Sequence, residues 1–574
     1  MHTVETVLLV LMLGALTGIA ARYVRAIPLP LIQIALGALI AWPQDGLHIA
    51  FDPELFLLLF IPPLLFADGW RIPKREFFAL AKPILLLAFG LVFITVFGLG
   101  YLIHWLIPSI PLTVAFALAA VVSPTDAVAV SAISRNLGMP SKTMHLLEGE
   151  SLLNDASGLV ALKFAVAATL TAGSFSWENA AKDFTWMSVG GLGLGALMGW
   201  GFSRGRDMVT RRVGDVAATQ MVLLLILLPF ASYIMGEYIG VSGILSAVAA
   251  GIATNFADLD RSNFISERLQ TEGTWSMVEA AFNGPIFLLL GLQLPSIIGE
   301  TLRGAAHRDV WLLLGYVAAI SCALLALRWA WLMLGVRSSL HKAHRQGRMV
   351  ERPSALLTLA TTVAGIRGAV TLAAALSIPT HLANGRVFPE RNLLIFLATG
   401  TILFTLVLGS IVLPLLLRRI PPVEDTQAQH EERLARTAAC QAAIASLALP
   451  EDQAQQHSAQ WLAQHQEVAG RITQEYRNRI QLLDESGVAN TPEAQSDSPE
   501  VVHERRLRYL REIELRLHCI QVERNTLYAE RQAHRINDEM LRAMVSELDM
   551  SEVSLRKRLA VARRAVGLPP LEGH

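Results

Sequence analysis

Residues 148–155 read Glu-Gly-Glu-Ser-Leu-Leu-Asn-Asp, and they begin a run to about residue 170 that is otherwise largely apolar. The run is long enough to cross a bilayer as one helix. A charged side chain at the centre of a spanning helix costs about 2.5–3.5 kcal/mol on insertion scales. Three carboxylates within these eight positions therefore indicate a retained function, and an intramembrane carboxylate by default marks an ion or proton site.

The whole chain has the composition of a polytopic membrane protein with a more polar part attached. Of its 574 residues, 53% are hydrophobic and only 17% are charged. The 48 basic and 48 acidic residues balance, which gives no reason to expect nucleic acid as a partner. The sequence has no Walker motif, nucleophile triad or metal-ligand cluster, so we expect neither an enzyme nor a bound cofactor.

Apolar segments of about 20 residues, the length that spans a bilayer, recur along the first 420 residues. Thirteen are predicted, at residues 4–22, 27–43, 54–69, 80–107, 111–134, 143–171, 184–203, 216–236, 239–256, 273–297, 309–335, 354–380 and 391–417. Basic residues cluster in every second loop, at 22–25, 71–75, 135–142, 204–212, 261–268, 337–352 and 418–419. Because basic loops stay in the cytoplasm, this pattern predicts a cell-membrane protein with its N-terminus outside and its C-terminal tail inside.

The composition changes abruptly after the two prolines at positions 421 and 422. From there the chain is rich in Glu, Arg, Gln and Ala and shows helical periodicity. We therefore predict two domains, a transmembrane domain at 1–420 and a cytoplasmic helical tail at 421–574. The tail has the pattern of a helical hairpin or dimerising coil, and a regulatory role is the alternative.

Two of the predicted segments are interrupted in corresponding places. The fifth contains Ser-Pro-Thr-Asp at 123–126, where the proline removes a backbone donor, and the twelfth contains Gly-Ile-Arg-Gly at 365–368. The breaks lie seven segments apart, which predicts two inverted repeats whose broken helices cross at the bilayer midplane. Asp126 suits the positive half-helix ends there and Arg367 suits the negative ends. The alternative is that the proline only kinks its helix and Arg367 snorkels to an interface.

The sixth segment presents one broad polar face. Ser151 and Asp155 are spaced i,i+4, as are Glu150 and Asn154. Asp155 can offer its carboxylate to a cation, Ser151 its hydroxyl oxygen, and Thr125 an oxygen beside the break, which suits a hard cation. Because burial disfavours a charged carboxylate, protons and cations are expected to compete for such a site.

Glu150 is predicted to have a different role from Asp155. It needs a cationic partner, and Arg328 in the eleventh segment or Arg367 in the twelfth could form a structural ion pair with it. Direct ligation of a cation by Glu150 is the alternative. Lys163, two turns beyond Asp155, could snorkel outward or pair with another carboxylate.

These motifs resemble those of the monovalent cation:proton antiporter-1 family, over roughly residues 1–420. The resemblance rests on the stretches 123–126, 148–155 and 365–372, supported by Arg328. It implies an all-α polytopic fold of about thirteen transmembrane helices, in two inverted repeats with crossed broken helices. It also implies a homodimer in which a core domain carries the site across a fixed dimerisation domain.

The resemblance further implies roles for individual residues. Asp155 would be the exchanging carboxylate, Glu150 and Arg328 the structural pair, and Arg367 the arginine of the helix crossing. The implied cation ligands, with Na⁺ as the transported ion, are Thr125, Asp126, Ser151 and Asp155, and Asn154 belongs to the same predicted cation and proton site. Members with Asn before this Asp, as at Asn154, exchange one cation for one proton electroneutrally.

We therefore predict a secondary antiporter that exchanges Na⁺, with Li⁺ or K⁺ as alternative ions, for H⁺ and so regulates pH. A K⁺/H⁺ antiporter of the same mechanism is the main alternative, since ligand types alone do not separate the two ions. A cation channel and a membrane sensor are less favoured, because inverted repeats around a single carboxylate site favour a carrier. The expected partners are the two ions, the lipid bilayer and a second copy of the chain.

Overall fold

The structure is a computed structural model of the chain. It describes residues 2–20, 27–42, 58–134, 137–170, 177–213, 218–258, 265–303, 309–346, 354–381, 387–420, 437–438, 440–447, 459–484, 499–532 and 538–565. These residues form two compact units, Met1–Val423 and Glu424–His574.

The first unit is a bundle of helices. They are α1 (His2–Ala20), α2 (Leu29–Ala41), α3 (Ile61–Arg71), α4 (Lys74–Ala79), α5 (Ala81–Leu85), α6 (Val92–Leu106), α7 (Leu112–Val122), α8 (Ala127–Ser134), α9 (Ser141–Leu170), α10 (Trp177–Val213), α11 (Ala218–Ile239), α12 (Gly243–Asp258), α13 (Ile265–Arg303), α14 (Val310–Arg345), α15 (Ala355–Val363), α16 (Ala369–Leu376) and α17 (Arg391–Leu417). A π-helical turn at Leu86–Leu91 joins α5 to α6. Outside these helices, the described residues include one isolated β-bridge, between His381 and Val387.

The predicted all-α membrane fold is confirmed. Seven helical stretches are long and apolar enough to cross a membrane: Ala81–Leu106, Leu112–Ser134, Ser141–Leu170, Thr219–Ile239, Gln270–Thr301, Val310–His341 and Arg391–Leu417. Shorter apolar helices lie at Leu8–Ala20, Leu29–Ala41 and Gly243–Ala257. In the part of the chain that the structure describes, each predicted segment holds a helix or a pair of helices.

Some helix ends differ from the predicted ones. Helices α10, α13 and α14 continue beyond the apolar stretches by up to about ten residues, because backbone hydrogen bonding does not end where hydropathy falls. Helix α3 has proline in its first turn, where a missing N–H costs no helical hydrogen bond. The predicted start of that segment, at 54, lies outside the described residues.

Close backbone contacts position the helices around the site. A Cβ at Gly69 of α3 would lie 2.8 Å from the carbonyl oxygen of Val248 in α12. A Cβ at Gly251 of α12 would overlap the carbonyl oxygen of Phe66 in α3. Small residues allow this approach in membrane bundles, where packing rather than the hydrophobic effect holds helices together. Helix α3 is therefore fixed against α12.

The first half of the interrupted fifth segment lies at the centre of the bundle. In α7, the side chains from Ala117 to Val122 are each no more than 1% exposed. Helices α6, α9, α16 and α17 pack around it. An irregular backbone at this depth is tolerated only where protein or a water-filled cavity surrounds it.

The second unit contains helices α18 (Ala459–Asp484), α19 (Pro499–Gln532) and α20 (Asp538–Ala565). Leu510 and Ile513 of α19 form one buried cluster with Leu559 and Ala562 of α20. Arg524 of α19 donates hydrogen bonds to Asp549, at 2.6 Å, and to Glu552 of α20. The hydrogen bond from Arg524 lowers the pKa of Glu552. The contact therefore stabilises the folded α19–α20 pair at a pH above the ordinary glutamate pKa, and this stabilisation is lost as the pH falls through the lowered pKa.

Candidate functional site

The two helix breaks meet and satisfy one another's backbone groups. The N–H of Asp126, in the first break, donates to the carbonyl oxygen of Ile366 in the second at 2.7 Å. The guanidinium Nε of Arg367 donates to the carbonyl oxygen of Val122, at the end of α7, at 2.9 Å. Polar groups freed by an interrupted helix are thus paired with the other interruption rather than with lipid.

Asp126 caps the second half of its segment. Its Oδ1 accepts hydrogen bonds from the N–H groups of Val128, at 2.9 Å, and Ala129, at 3.1 Å. A carboxylate at this position satisfies orphan N–H groups and faces the positive end of α8.

Arg367 lies at the negative ends of half-helices. Besides Val122, its guanidinium donates to the carbonyl oxygen of Gly365, just beyond the end of α15. The side chain is only 3% exposed, so it is buried between the breaks and does not snorkel to an interface. Its own N–H donates to Thr405 Oγ1 of α17 at 3.2 Å, which anchors the second break to the neighbouring helix.

Gly368 is required by the close approach of the two breaks. A Cβ at this position would overlap Asp126 Oδ2. We expect Gly368→Ala to destabilise the protein by about 1–3 kcal/mol, the usual cost of overpacking, because either the cap or the break must shift. The check is the thermal unfolding midpoint of purified protein.

Gly315→Ala is the matched control for Gly368→Ala, because a Cβ at Gly315 of α14 meets no atom within 4 Å. It should leave the midpoint unchanged or raise it, since alanine favours a helix over glycine. Equal midpoints for the two variants would show that the breaks do not need this contact.

Ser151, Asn154 and Thr125 form a hydrogen-bonded network beside the first break. Ser151 Oγ donates to the carbonyl oxygen of Thr125 at 2.8 Å and accepts from the N–H of Ala127 at 3.2 Å. Asn154 Nδ2 donates to Thr125 Oγ1 at 2.8 Å. Helix α9 is thereby fixed to the break and to the start of α8, and its polar face lies against the break.

Asp155 lines a cavity beside this network. The cavity has a volume of about 60 Å³, which is enough for more than one water molecule. Thr125, Asp126 and Ser151 line it as well, so the structure brings four of the five predicted site residues to one space. The fifth, Asn154, is not among the lining residues. Asp155 is 7% exposed, and among the described residues no hydrogen-bond donor or basic group contacts its carboxylate.

A third carboxylate, Asp68 of α3, lines the same cavity and was not singled out from the sequence. Unlike Asp155, its side chain is exposed. Asn283 of α13 contributes a further polar side chain, and no Lys, Arg or His is among the cavity's described lining residues. A cavity lined by carboxylates without basic groups attracts cations.

Glu150 and Arg328 form a buried ion pair. Arg328 Nη2 donates to Glu150 Oε2 at 2.8 Å, and Nη1 donates to Oε1. Both side chains are 1% exposed. Arg328 Nε also donates to the carbonyl oxygen of Thr361 in α15 at 3.2 Å, so the pair ties α9 through α14 to the second interrupted segment. Of the two arginines considered from the sequence, Arg328 is the one that pairs with Glu150.

Lys163 contacts a carboxylate on another helix. Its Nζ lies 3.3 Å from Oε1 of Glu237 in α11, and both side chains are about half exposed. The same oxygen accepts the N–H of Gly243, at the start of α12, at 3.2 Å. An exposed pair of this kind contributes about 0–1 kcal/mol.

Two interrupted helices crossing beside an acidic cavity, within a bundle of apolar helices, define the class as a secondary transporter of cations. The family model described as "Sodium/hydrogen exchanger, transmembrane" matches residues 8–419. The chain therefore belongs to the sodium/hydrogen exchanger family and is a multi-pass membrane protein, and the resemblance to the monovalent cation:proton antiporter-1 family is confirmed. This is a family of cation/proton antiporters, not of enzymes.

Relatives match over much of the chain. An uncharacterized Na(+)/H(+) exchanger of Escherichia coli (strain K12), YjcE, is 42% identical over 556 residues, covering 96% of this chain and 98% of that protein. A sodium, potassium, lithium and rubidium/H(+) antiporter of Bacillus subtilis (strain 168) is 46% identical over 412 residues, covering 71% of this chain and 61% of that protein.

A solved structure shares the fold. The sodium proton antiporter MjNhaP1 from Methanocaldococcus jannaschii, solved at pH 8, matches with a TM-score of 0.56 at 16% sequence identity. The match covers 73% of this chain and 99% of that one. At this identity the likeness bears on the fold alone.

Proposed function

We propose that this chain exchanges Na⁺ for H⁺ at Asp155. The observation that carries the proposal is a buried carboxylate that lines an acidic cavity and meets no cation or donor among the described residues. Such a group must be neutralised, either by a proton or by a bound cation. Because one carboxylate cannot hold both, loading one ion displaces the other, and exchange follows if only a neutralised site crosses the membrane.

The hydrogen bonds around the site leave oxygen lone pairs for a cation. A hydroxyl has one proton and two lone pairs. Ser151 uses its proton on Thr125 and one lone pair on Ala127, so one lone pair remains. The Thr125 carbonyl oxygen also has a second lone pair. With the Asp155 carboxylate, these oxygens supply a shell of the kind that hard cations prefer, and we propose that Asp126 adds to it.

Asn154 is proposed to set the charge count. It occupies the position next to Asp155 with a neutral amide, whose Nδ2 holds the Thr125 hydroxyl in place. With a neutral residue at 154, Asp155 is the one carboxylate of these two positions, and we propose that it carries one proton or one monovalent cation in each half of the cycle. Exchange would be electroneutral, and imposing a membrane potential on vesicles should not change its rate.

The membrane orientation is also part of the proposal. Asp68 lies shortly before the basic residues Arg71, Lys74 and Arg75, and basic segments between transmembrane helices favour the cytoplasmic side. The cavity would then be entered from the cytoplasm, with the N-terminus outside and the tail inside. We further propose that the chain works as a homodimer in the cell membrane and contributes to pH regulation.

The test of the proposed activity is cation-induced dequenching of a ΔpH-sensitive dye in membrane vesicles. We expect Na⁺ to dissipate the proton gradient, and Li⁺ and K⁺ in parallel arms to give the selectivity. A relative named for sodium, potassium, lithium and rubidium makes the broader range worth including. Current under voltage without a proton gradient would instead indicate a channel and would contradict exchange.

Asp68 is expected to set how readily a cation enters. Asp68→Asn should raise the Na⁺ concentration for half-maximal exchange about three- to tenfold, since one of three cavity carboxylates is lost. The maximal rate should change less. Glu272→Gln removes an exposed carboxylate of α13 that does not line the cavity, and it should leave both parameters unchanged. An unaltered half-maximal concentration in Asp68→Asn would exclude an entry role.

A further inference from the structure

A second cavity, of about 680 Å³, lies between α10 and α12, away from the Asp155 cavity. Leu192 and Ala196 of α10 and Ala249 and Ile252 of α12 form apolar walls. At one end the lining changes to Ser203 and Arg204, both on α10. We call this cavity the α10–α12 groove. Its apolar length and cationic end have the character of an amphiphile site.

The groove exists because the two helices touch along a line of glycines. A Cβ at Gly191 of α10 would lie 2.6 Å from the carbonyl oxygen of Ser242. A Cβ at Gly195 would overlap the carbonyl oxygen of Ser246 in α12, and a Cβ at Gly199 would overlap the carbonyl oxygen of Ala250. Backbones in such close contact exclude any side chain from the seam. The neighbouring row of α10, four residues apart at positions 192, 196, 200 and 204, lines the space beside it.

The polar end of the groove carries cations held over aromatic rings. The Arg204 guanidinium carbon lies 5.1 Å from the ring centroid of Trp200, and Lys74 Nζ lies 4.5 Å from that of Phe256. Both rings belong to groove-lining residues. The cation–π contact with Trp200 positions the Arg204 charge without neutralising it. Asp207 also lines this end, but its carboxylate is 3.7 Å from the Arg206 guanidinium, which offsets its charge.

Ser203 adds an unsatisfied donor beside Arg204. Its side chain is 2% exposed, and its hydroxyl has no hydrogen-bond partner among the described residues. A buried polar group without a partner is destabilising, so an acceptor that reaches it is favoured. A serine hydroxyl turns about one bond, and it could donate to an oxygen held by Arg204.

The length of the groove matches one leaflet. Leu192 and Arg204 are twelve residues apart on one helix, which corresponds to about 18 Å. Half of the hydrocarbon core of a bilayer is about 15 Å thick. Arg204 and Lys74 lie in the basic-loop regions at 204–212 and 71–75, so the polar end faces that side of the membrane.

We propose that the α10–α12 groove binds one anionic phospholipid from the leaflet on the side of the basic loops. Its phosphate lies at Arg204 and Ser203, and one acyl chain follows Leu192, Ala196 and Ile252. Basic pockets between transmembrane helices on the cytoplasmic side recognise anionic headgroups in this way. The proposal is independent of the site at Asp155.

Native mass spectrometry of the full-length protein, titrated with phosphatidylglycerol, tests the proposal and reports the oligomeric state at the same time. We expect Arg204→Gln to weaken the first phosphatidylglycerol adduct at least about tenfold, the effect of losing one charged hydrogen bond. Ala196→Trp, which fills the groove and keeps the charge, should weaken it as well. Arg212→Gln removes an exposed charge of the same helix outside the groove and should change nothing.

Two further ligands separate a lipid site from its alternatives. Phosphatidylcholine with the same chains should bind more weakly, and glycerol 3-phosphate should not displace phosphatidylglycerol. Displacement by glycerol 3-phosphate would show a site for a free phosphate, and equal binding of both lipids, unaffected by Arg204→Gln, would show bulk lipid only. A change of oligomeric state in Ala196→Trp without any change in lipid binding would show that a second copy of the chain covers the groove. Each of these results would overturn the proposal.

Discussion

Replacing Asp155 with asparagine should abolish cation/proton exchange while leaving the protein folded in the membrane. The asparagine keeps the size of the side chain but can hold neither the proton nor the charge that binds the cation. Losing one partner of a buried charge pair weakens binding by about 3–5 kcal/mol, so loading of the cation, and with it the exchange rate, should fall at least about 100-fold. The measurement is Na⁺-induced dequenching of a ΔpH dye in vesicles, normalised to the amount of protein.

Glu148→Gln is the matched control for Asp155→Asn. It removes the same kind of charge from the same helix, but the Glu148 side chain is 44% exposed and lies 3.4 Å from His145, outside the cavity lining. We expect it to retain most of the activity. Full activity in Asp155→Asn, or an equal loss in both variants, would refute the assignment of the site to Asp155.

The Glu150–Arg328 pair should show the largest effect on stability. Both side chains are buried, and they form two parallel hydrogen bonds. Glu150→Gln or Arg328→Met alone leaves an uncompensated buried charge and should destabilise the protein by about 3–5 kcal/mol. The double variant removes both charges and should recover most of that loss, because a buried pair is often no more stable than an apolar replacement.

Thermal unfolding of the purified variants, followed by size-exclusion chromatography, separates these outcomes. Lys163→Gln breaks an ion pair that is longer, at 3.3 Å, and about half exposed, and it should change stability by at most about 1 kcal/mol. Single variants as stable as the wild type would show that the Glu150–Arg328 pair is not structural. A double variant no better than either single one would show that Glu150 or Arg328 has a separate role, such as binding the cation.

Local chemistry in the sequence predicted the positions of the breaks. Pro124 and the glycines at 365 and 368 cannot continue a helix at low cost, and the structure interrupts both segments there. The i,i+4 spacing of Ser151 and Asp155 placed both on one face, and both line the cavity. These features depend on backbone geometry within one segment, which a single sequence determines well.

Features that depend on packing between segments could not be predicted in the same way. Asp68 lies at the end of its predicted segment, where an acidic residue is ordinarily interfacial, and only the packing of α3 against α12 and α13 brings it to the cavity. The choice of Arg328 over Arg367 depends on how α14 approaches α9. The partner of Lys163, Glu237, lies 74 residues away on α11, and no spacing rule relates the two.

The claim that a cation and a proton compete for Asp155 can be tested without transport. When Na⁺ is added to purified protein in weakly buffered detergent solution, each bound Na⁺ should release about one proton, seen as a fall in pH. Asp155→Asn should release none, and Glu148→Gln should release as much as the wild type. Na⁺ binding by the wild type without proton release, or equal release from Asp155→Asn, would contradict the account.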